Sequence, residues 1–327
     1  AEAGLNDSPS RDRIGVILGT GQGPVEILER NFEKVAERGV RTVSPYFIPT
    51  AMPNAASALV SIHYGFRGPS WTMASACATG MHALATAALL VEAGDADAMV
   101  VGGGEAALYP SCLAGFGNAR ALARSYEGDP KRSSRPYDAA RMGFVIGEGA
   151  GALVIESEEH ARARGATILA TLLGWGSSSD ASHLVRPPDD GAGLALAIER
   201  ALARAEISPS ELGYVNPHAT STQAGDIAEL RAMERALGPA LPGIPVSATK
   251  SILGHLLGGA GAVETIATVC SVRDAVIHPS LNLEHKDEAF AAVDVVTSER
   301  PMQKRVALKL SAGFGGHNAA IVIGSAS

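Results

Sequence analysis

A layered α/β fold is what this chain predicts, on three observations. Short apolar runs closed by glycine or serine recur along its 327 residues, helical patterns fall between them, and small residues abound, with 37 glycines against only 5% aromatics. Runs this short suit central strands covered on both faces. Their alternation with helices predicts helix-on-sheet layers, and small residues permit tight turns and close backbone contacts.

The predicted strands, in order, are 13–18 (RIGVIL), 71–76, which runs into Cys77, 98–102, 151–155, 168–173, 213–216, 244–248, 306–310 and 319–323. Helices are predicted at 78–93, Ala/Leu-rich and stopped by Gly94, at 193–205 and 224–237, both amphipathic, and at 261–273 after a glycine-rich turn. The stretch 124–137 (RSYEGDPKRSSRPY) is polar, punctuated by Pro and Gly, and reads as the most loop-like segment. A boundary after GEGAGALVIES divides the chain into halves, 1–157 and 158–327. A loose internal echo, strands leading into Cys77 in one half and into His218 and Lys250 in the other, points to related halves without a clean sequence repeat.

Composition narrows the function. A formal charge of -7 gives no support to bulk electrostatic binding of nucleic acid. Cys77, Cys112 and Cys270 have no CxxC spacing and no adjoining histidine cluster, which argues against a disulfide framework or a zinc site. Free thiols fit a reducing cytosol, so a cytoplasmic location is expected. No apolar run approaches the roughly 20 residues of a membrane span, and the polar start lacks a signal-peptide pattern.

Four segments carry candidate chemistry. In SACATG a buried strand meets Cys77 just before an Ala-rich helix, where free N–H groups and the helix dipole favour thiolate. A buried structural cysteine explains the local pattern equally well. His218 in VNPHATST and Lys250 with His255 in TKSILGH follow predicted strands, where α/β sheets place function. Each histidine alone reads as structural. Two of them with a helix-start cysteine suit thioester chemistry, in which a soft nucleophile needs donors nearby. SAGFGGHN is a glycine-dense turn between strands, either a plain β-turn or a loop bringing backbone N–H groups to a ligand. GTGQG after the first strand imitates a dinucleotide loop, but the full spacing and the later acidic residue are missing.

Together with SPYFIPTAMPNAAS, GPSWTMASACATG, GDADAMVVGGGEA, RPYDAARMGFVIGEGAGALVIE, VNPHATSTQAGDIAE, TKSILGHLLGGAGAVE and GFGGHNAAIV, these segments resemble the β-ketoacyl-[acyl carrier protein] synthases, particularly the elongating long-chain type. The resemblance implies a thiolase-like fold, two related α/β halves in a five-layered αβαβα sandwich, usually a homodimer. It implies that Cys77 is the acyl-accepting nucleophile, that His218 and His255 serve decarboxylation, and that Lys250 with Glu264 holds the electrostatics. Backbone N–H groups of Cys77 and Phe314 would form the oxyanion hole, with Phe314 as gate. Thr220, Thr222, Phe116, Gln22 and Ala312 would border substrate, and Arg120 and Arg124 would dock the acyl carrier protein. No metal or organic cofactor is implied, and no nucleic acid or membrane partner. A dissociated polyketide ketosynthase, or less readily a non-catalytic partner subunit, shares the resemblance.

The chain departs from the family pattern in four places. A strand and helices usually precede the segment seen here, so the N-terminal half is expected to lack its first elements, as in a fragment. Ala219 stands where Gly is usual, Ala312 where a phenylalanine flanks the gate, and Gln22 where an apolar residue borders the acyl tunnel. A more polar or differently shaped acyl pocket is expected.

Overall fold

The fold follows from strands that are apolar on both faces and therefore need cover on both. In a computed structural model that describes residues 3–5 and 10–326, β1 (Ile14–Gly19) lies between β2 (Ser70–Trp71) and β3 (Ala98–Glu105), and β4 (Gly149–Glu156) flanks β3. β1 is parallel to both neighbours, whereas β4 runs antiparallel to β3. The second sheet has the order β5 (Ala170–Ser179), β12 (His317–Ser325), β11 (Val306–Gly313), β6 (Tyr214–Asn216), β7 (Pro245–Val246), β9 (Asp294–Val295). Within it β9, β7, β6 and β11 are parallel, and β12 is antiparallel to both β11 and β5. A small antiparallel pair joins β8 (Val276–Ile277) to β10 (Arg300–Pro301).

Helices fill the remaining layers. In chain order they are α1 (Val25–Arg38), α2 (Phe47–Ala51), α3 (Ala55–Tyr64), α4 (Thr79–Glu92), α5 (Pro110–Asn118), α6 (Glu158–Ala163), α7 (Ala192–Ala205), α8 (Gln223–Leu237), α9 (Lys250–Leu253) and α10 (Ala260–Asp274). Strand alternation assigns each face to a core. On β1, Ile14 and Val16 pack toward Val60 and Tyr64 of α3, while Ile17 packs toward Ala83, Leu84 and Ala87 of α4. On β12, Ala319, Ile321 and Ile323 meet α4 and α10, and Ala320 and Val322 meet α7 and α8. The layers are thus α3, sheet, α4 with α10, sheet, α7 with α8, as the five-layered reading expects.

The central helices approach very closely. A Cβ on Gly80 of α4 would lie 2.5 Å from the backbone nitrogen of Ala262, and one on Gly261 of α10 would lie 2.9 Å from that of Met81. Glycine at both positions lets the two backbones touch, which brings the N-termini of α4 and α10 side by side.

Several expected boundaries move. The strand expected at 71–76 ends at Trp71, because the chain then bends toward the β1 loop, where Met73 O accepts from Thr20 N at 3.2 Å. The one at 244–248 shortens to Pro245–Val246, and the one at 168–173 continues as Ala170–Ser179 along β12. The loop-like 124–137 is irregular apart from a single 3-10 turn at Pro130–Arg132, yet Arg135 and Tyr137 are fully buried. Arg135 Nε sits 3.0 Å from Asp138 Oδ1, and its guanidinium stacks 3.5 Å from the Tyr126 ring centroid. Residues 124–131 are mostly exposed, whereas at 133–137 polarity reflects internal pairing rather than solvent exposure.

Candidate active site

Cys77 lies in the tight bend between β2 and α4. Ala76 takes a positive φ of 49°, an uncommon conformation for a residue with a Cβ. Thr79 holds the bend: its hydroxyl accepts from Ser75 N at 2.8 Å and donates to Ala76 O at 2.7 Å. The β11–β12 turn closes over it. Ser311 Oγ donates to Cys77 O at 3.0 Å, and a Cβ on Gly313 would lie 3.0 Å from Cys77 N. Glycine at 313 therefore allows the Phe314 backbone to reach the sulfur.

His255 is buried between α9 and α10, with Nε2 3.1 Å from Cys77 Sγ. Its backbone is pinned by the opposite half: N donates to Val145 O at 2.7 Å and O accepts from Gly147 N at 2.9 Å. The Phe144 ring meets the imidazole edge-on at 5.2 Å. His218 follows β6, and its ring stands perpendicular to that of His255 with centroids 5.2 Å apart. Cys77 Sγ and one nitrogen of each histidine all lie within 4.8 Å of one another.

Behind the histidines is a buried charged cluster. Lys250 Nζ is 2.6 Å from Glu264 Oε1 and 3.4 Å from His218 Nδ1. An ammonium can only donate, so His218 Nδ1 accepts and its ring proton sits on Nε2. Lys309 Nζ is 2.6 Å from Glu264 Oε2 and donates to Pro217 O at 3.2 Å. Glu229 of α8 accepts from the backbone N of His218 at 2.6 Å and of Ala219 at 2.7 Å, which fixes the loop bearing the imidazole.

Burial and this cluster set the protonation states. His218 is held well below the ordinary histidine range by burial, by Lys250, by His255 and by Lys309. His255 is held down likewise by burial and the two lysines. Both are neutral near pH 7. Burial pushes the Cys77 thiol up to about 12, outweighing the opposing field of Lys250 and a hydrogen bond from the Phe314 backbone. This corrects the expectation that the helix N-terminus makes a resting thiolate: desolvation wins, and ionisation requires a base at the sulfur. His255 Nε2 occupies that position.

A cavity of about 390 Å³ opens onto Cys77, His218 and His255. Gln22, Phe116, Arg120, Thr220, Thr222, Ala312 and Phe314 also line it, so each residue expected to border substrate faces this space. Thr220 and Thr222 hydroxyls lie 3.0 Å apart, and Thr222 caps α8 by accepting from Gly225 N. Phe314 is 36% exposed, its ring 6.3 Å from that of Phe116. Lys250 and Glu264 lie behind the lining, and Arg124 is exposed but outside it. The GTGQG loop is occupied by protein: Glu105 accepts from Gly21 N at 2.7 Å, from Gly258 N at 3.0 Å and from Thr20 Oγ1 at 2.8 Å. With those donors taken, the loop has no phosphate cradle to offer.

Sequence reading missed Lys309, Glu229 and Glu105. Lys309 carried a usable signal, a lone cation inside the apolar run VALKLS, since a buried charge needs a partner. Glu229 on an amphipathic helix read as one more surface acid.

Known proteins match this arrangement. The Beta-ketoacyl synthase, N-terminal domain family matches residues 1–161, and the Beta-ketoacyl synthase, C-terminal domain family matches 169–284. The chain is 45% identical over 311 residues to 3-oxoacyl-[acyl-carrier-protein] synthase 2 of Vibrio harveyi, covering 95% of this chain and 75% of that one. It is 43% identical over 326 residues to the protein of the same name from Rhizobium meliloti, covering 99% and 77%. Among solved structures, a type II PKS ketosynthase in complex with its acyl-carrier protein and bound to the hexaketide superposes with a TM-score of 0.94 at 32% identity, covering 99% of this chain and 81% of that one. A Beta-ketoacyl synthase from Burkholderia phymatum gives 0.91 at 34% identity, covering 99% and 79%. With both family domains matched in order around one cysteine–histidine–histidine site, the chain belongs to the beta-ketoacyl synthase family.

Proposed function

We propose that this chain is an acyltransferase of fatty acid elongation, a 3-oxoacyl-[acyl carrier protein] synthase that condenses an acyl group held on Cys77 with malonyl-[acyl carrier protein]. One observation carries the assignment of roles: Cys77 Sγ and the two neutral imidazoles converge within 4.8 Å at the end of an acyl-sized cavity.

The steps follow from the geometry. His255 Nε2 takes the Cys77 proton as sulfur attacks the acyl thioester, and backbone N–H groups of Cys77 and Phe314 stabilise the tetrahedral oxyanion. The intermediate collapses to acyl-Cys77, and His255 passes the proton to the departing carrier thiolate. Malonyl carrier then binds, and its C–C bond breaks to release CO2, leaving the electron pair on an enolate. His218 Nε2–H donates to the developing enolate oxygen, with His255 beside it. The enolate carbon attacks the Cys77 acyl carbon, the C–S bond breaks, and Cys77 regains a proton from solvent through His255. The cycle consumes one proton and uses no metal or organic cofactor; the cationic cluster behind the histidines supplies the positive field.

Acyl carrier protein is the substrate carrier in this reading, docking at Arg120, which lines the cavity, and at exposed Arg124. A homodimer fits the exposed Phe32, Val40, Tyr46, Ile48, Leu59 and Ile62 along α1 to α3, beside the β2 edge of the first sheet. A cytoplasmic location fits three free cysteines, and no described helix is long and apolar enough to cross a membrane. The likeness to a hexaketide-bound ketosynthase favours a second reading, repeated condensation without reduction in a polyketide system.

Intact-mass analysis with acyl carrier thioesters tests the proposal. An acyl adduct on wild type and none on Cys77→Ala is expected, followed by one 3-oxoacyl product after malonyl carrier is added. No adduct from any donor rejects it. Successive two-carbon additions without reduction select the polyketide reading.

A further inference from the structure

The mechanism needs only one lysine beside His218, yet the cluster holds two on a single carboxylate. Lys309 sits in the middle of β11, fully buried, opposite Asn216 of β6 and Ile321 of β12, both uncharged. Its ammonium reaches Glu264 Oε2 of α10 at 2.6 Å, the Pro217 carbonyl at 3.2 Å and the Leu310 carbonyl. The charged and titratable groups around it are Glu264 of α10, Lys250 of α9, Glu229 of α8, and the imidazoles of His218 and His255. Glu264 pairs with Lys250 through Oε1 and with Lys309 through Oε2, so the triad carries one net positive charge rather than none.

We propose that Lys309 is a positioning residue of the condensing site: by sharing Glu264 with Lys250 it adds one buried positive charge behind His218 and His255. The proposal rests on the condensing role above and sharpens it. An ion pair of Lys250 with Glu264 alone is nearly neutral as seen from the histidines. A second ammonium leaves Lys250 free to polarise His218 Nδ1 and raises the potential where the enolate oxygen gains its charge. The same hand on Pro217 O fixes the residue before His218. Such an effect is confined to steps that develop negative charge, so it falls on kcat rather than on carrier binding.

The state of Lys309 also has a pH consequence. Burial lowers its ammonium to about 8, with Glu264 opposing that fall and Lys250 adding to it. The extra charge is present below that pH and is lost as pH rises through it. Condensation by wild type should therefore decline above a pH of about 8.

The test is condensation kinetics with acyl and malonyl carrier substrates, for wild type, Lys309→Met and Lys309→Arg. Lys309→Met should lower kcat about tenfold, less than the ~10²–10³ lost with a direct oxyanion donor. Its KM should stay within about twofold, and the alkaline limb should vanish. Lys309→Arg, which stays charged, should move that limb upward by more than about one pH unit. Melting curves and the acyl-Cys77 adduct by mass report whether each variant is folded with its nucleophile intact. If Lys309→Met does not fold, wild type and Lys309→Arg decide the matter. A wild-type profile flat past pH ~9, or a limb unmoved by Lys309→Arg, overturns the proposal. So does a folded Lys309→Met with wild-type kcat and limb. No product from wild type overturns the condensing role itself, and the role of Lys309 with it.

Discussion

The two halves repeat one plan and fill it differently. β2, β1, β3 and β4 run parallel, parallel, antiparallel, and so do β7, β6, β11 and β12. The bend after β2 leads through Cys77 into α4, and the segment after β7 leads through Lys250 and His255 into α10. Beyond that the halves part. Around its nucleophile the N-terminal half is apolar with one buried carboxylate, Glu105, held by backbone donors and the Thr20 hydroxyl, while its other buried charges, Arg135, Asp138 and Arg141, pair with one another and with Asp226 and Asp287. The C-terminal half holds the buried charges Lys250, Lys309, Glu264, Glu229 and Asp226. Strand β12 is nearly continuously buried between β11 and β5, while β4 at its sheet's edge is only half-buried. Two equivalent bends thus meet at one site, one bringing the sulfur and the other the lysine–carboxylate cluster whose field reaches it.

The comparison breaks most visibly at the sulfur. Cys77→Ala should abolish the acyl adduct and reduce condensation at least ~10³-fold without lowering the melting temperature, since only a sulfur atom is lost from a half-buried site. Next come the two carboxylates. Glu264→Gln strands two buried ammoniums and should cost about 3–5 kcal/mol of stability. Glu105→Gln keeps an acceptor for neutral donors and should cost about 1–2 kcal/mol. Urea unfolding of the pair measures the asymmetry directly, and equal losses would erase it.

His255→Asn examines how the halves cooperate. Because the thiol sits at about 12 and His255 is neutral, wild-type acylation should be flat from about pH 6 to 8, driven by the imidazole. Without it, acylation should fall about 10²-fold and rise with pH as hydroxide takes over. A preformed thiolate would give neither result.

Asp226 tests where pH sensitivity resides. Burial lifts its carboxyl to about 7, against the fields of Arg141 and donors from Tyr137 and Ser221. Its folded pKa thus exceeds its unfolded one, so the native state binds the extra proton between about 4 and 7. Stability falls as pH rises through that window, by about 4 kcal/mol at this site. Asp226→Asn should flatten the melting temperature across pH 5 to ~7.5.

How much of this was legible beforehand depended on whether a residue's meaning is local. The layers were, because strand length and helix period are written in neighbouring residues. Cys77 was legible as a candidate because a strand, a small-residue bend and a helix adjoin it. The histidines became so only as a set. Lys309, Glu229 and Glu105 take their meaning from partners 45, 11 and 84 residues away, and no local pattern records that. Protonation was misread at Cys77 for the same reason: a helix N-terminus is visible in sequence, whereas the burial that outweighs it is a property of the closed site.

The smallest effect concerns backbone strain, which both halves carry in an alanine. Ala76 has φ 49° beside Cys77, and Ala219 has φ 32° beside His218. Glycine would release ~1–2 kcal/mol of left-handed strain at either position, and greater freedom of the unfolded chain would offset ~0.4–1 kcal/mol of it. Here the surroundings decide. Ala219 is buried in the core under α7 and α8, so Ala219→Gly also loses a buried methyl, worth ~0.8 kcal/mol, and should leave the melting temperature nearly unchanged. Both alanines line the cavity, but Ala76 is only partly buried and lies outside the buried core clusters, so Ala76→Gly should stabilise by about 0.5–1 kcal/mol. If both variants stabilise equally, the methyl of Ala219 contributes nothing, and the denser packing of the C-terminal half does not reach the loop that carries its histidine.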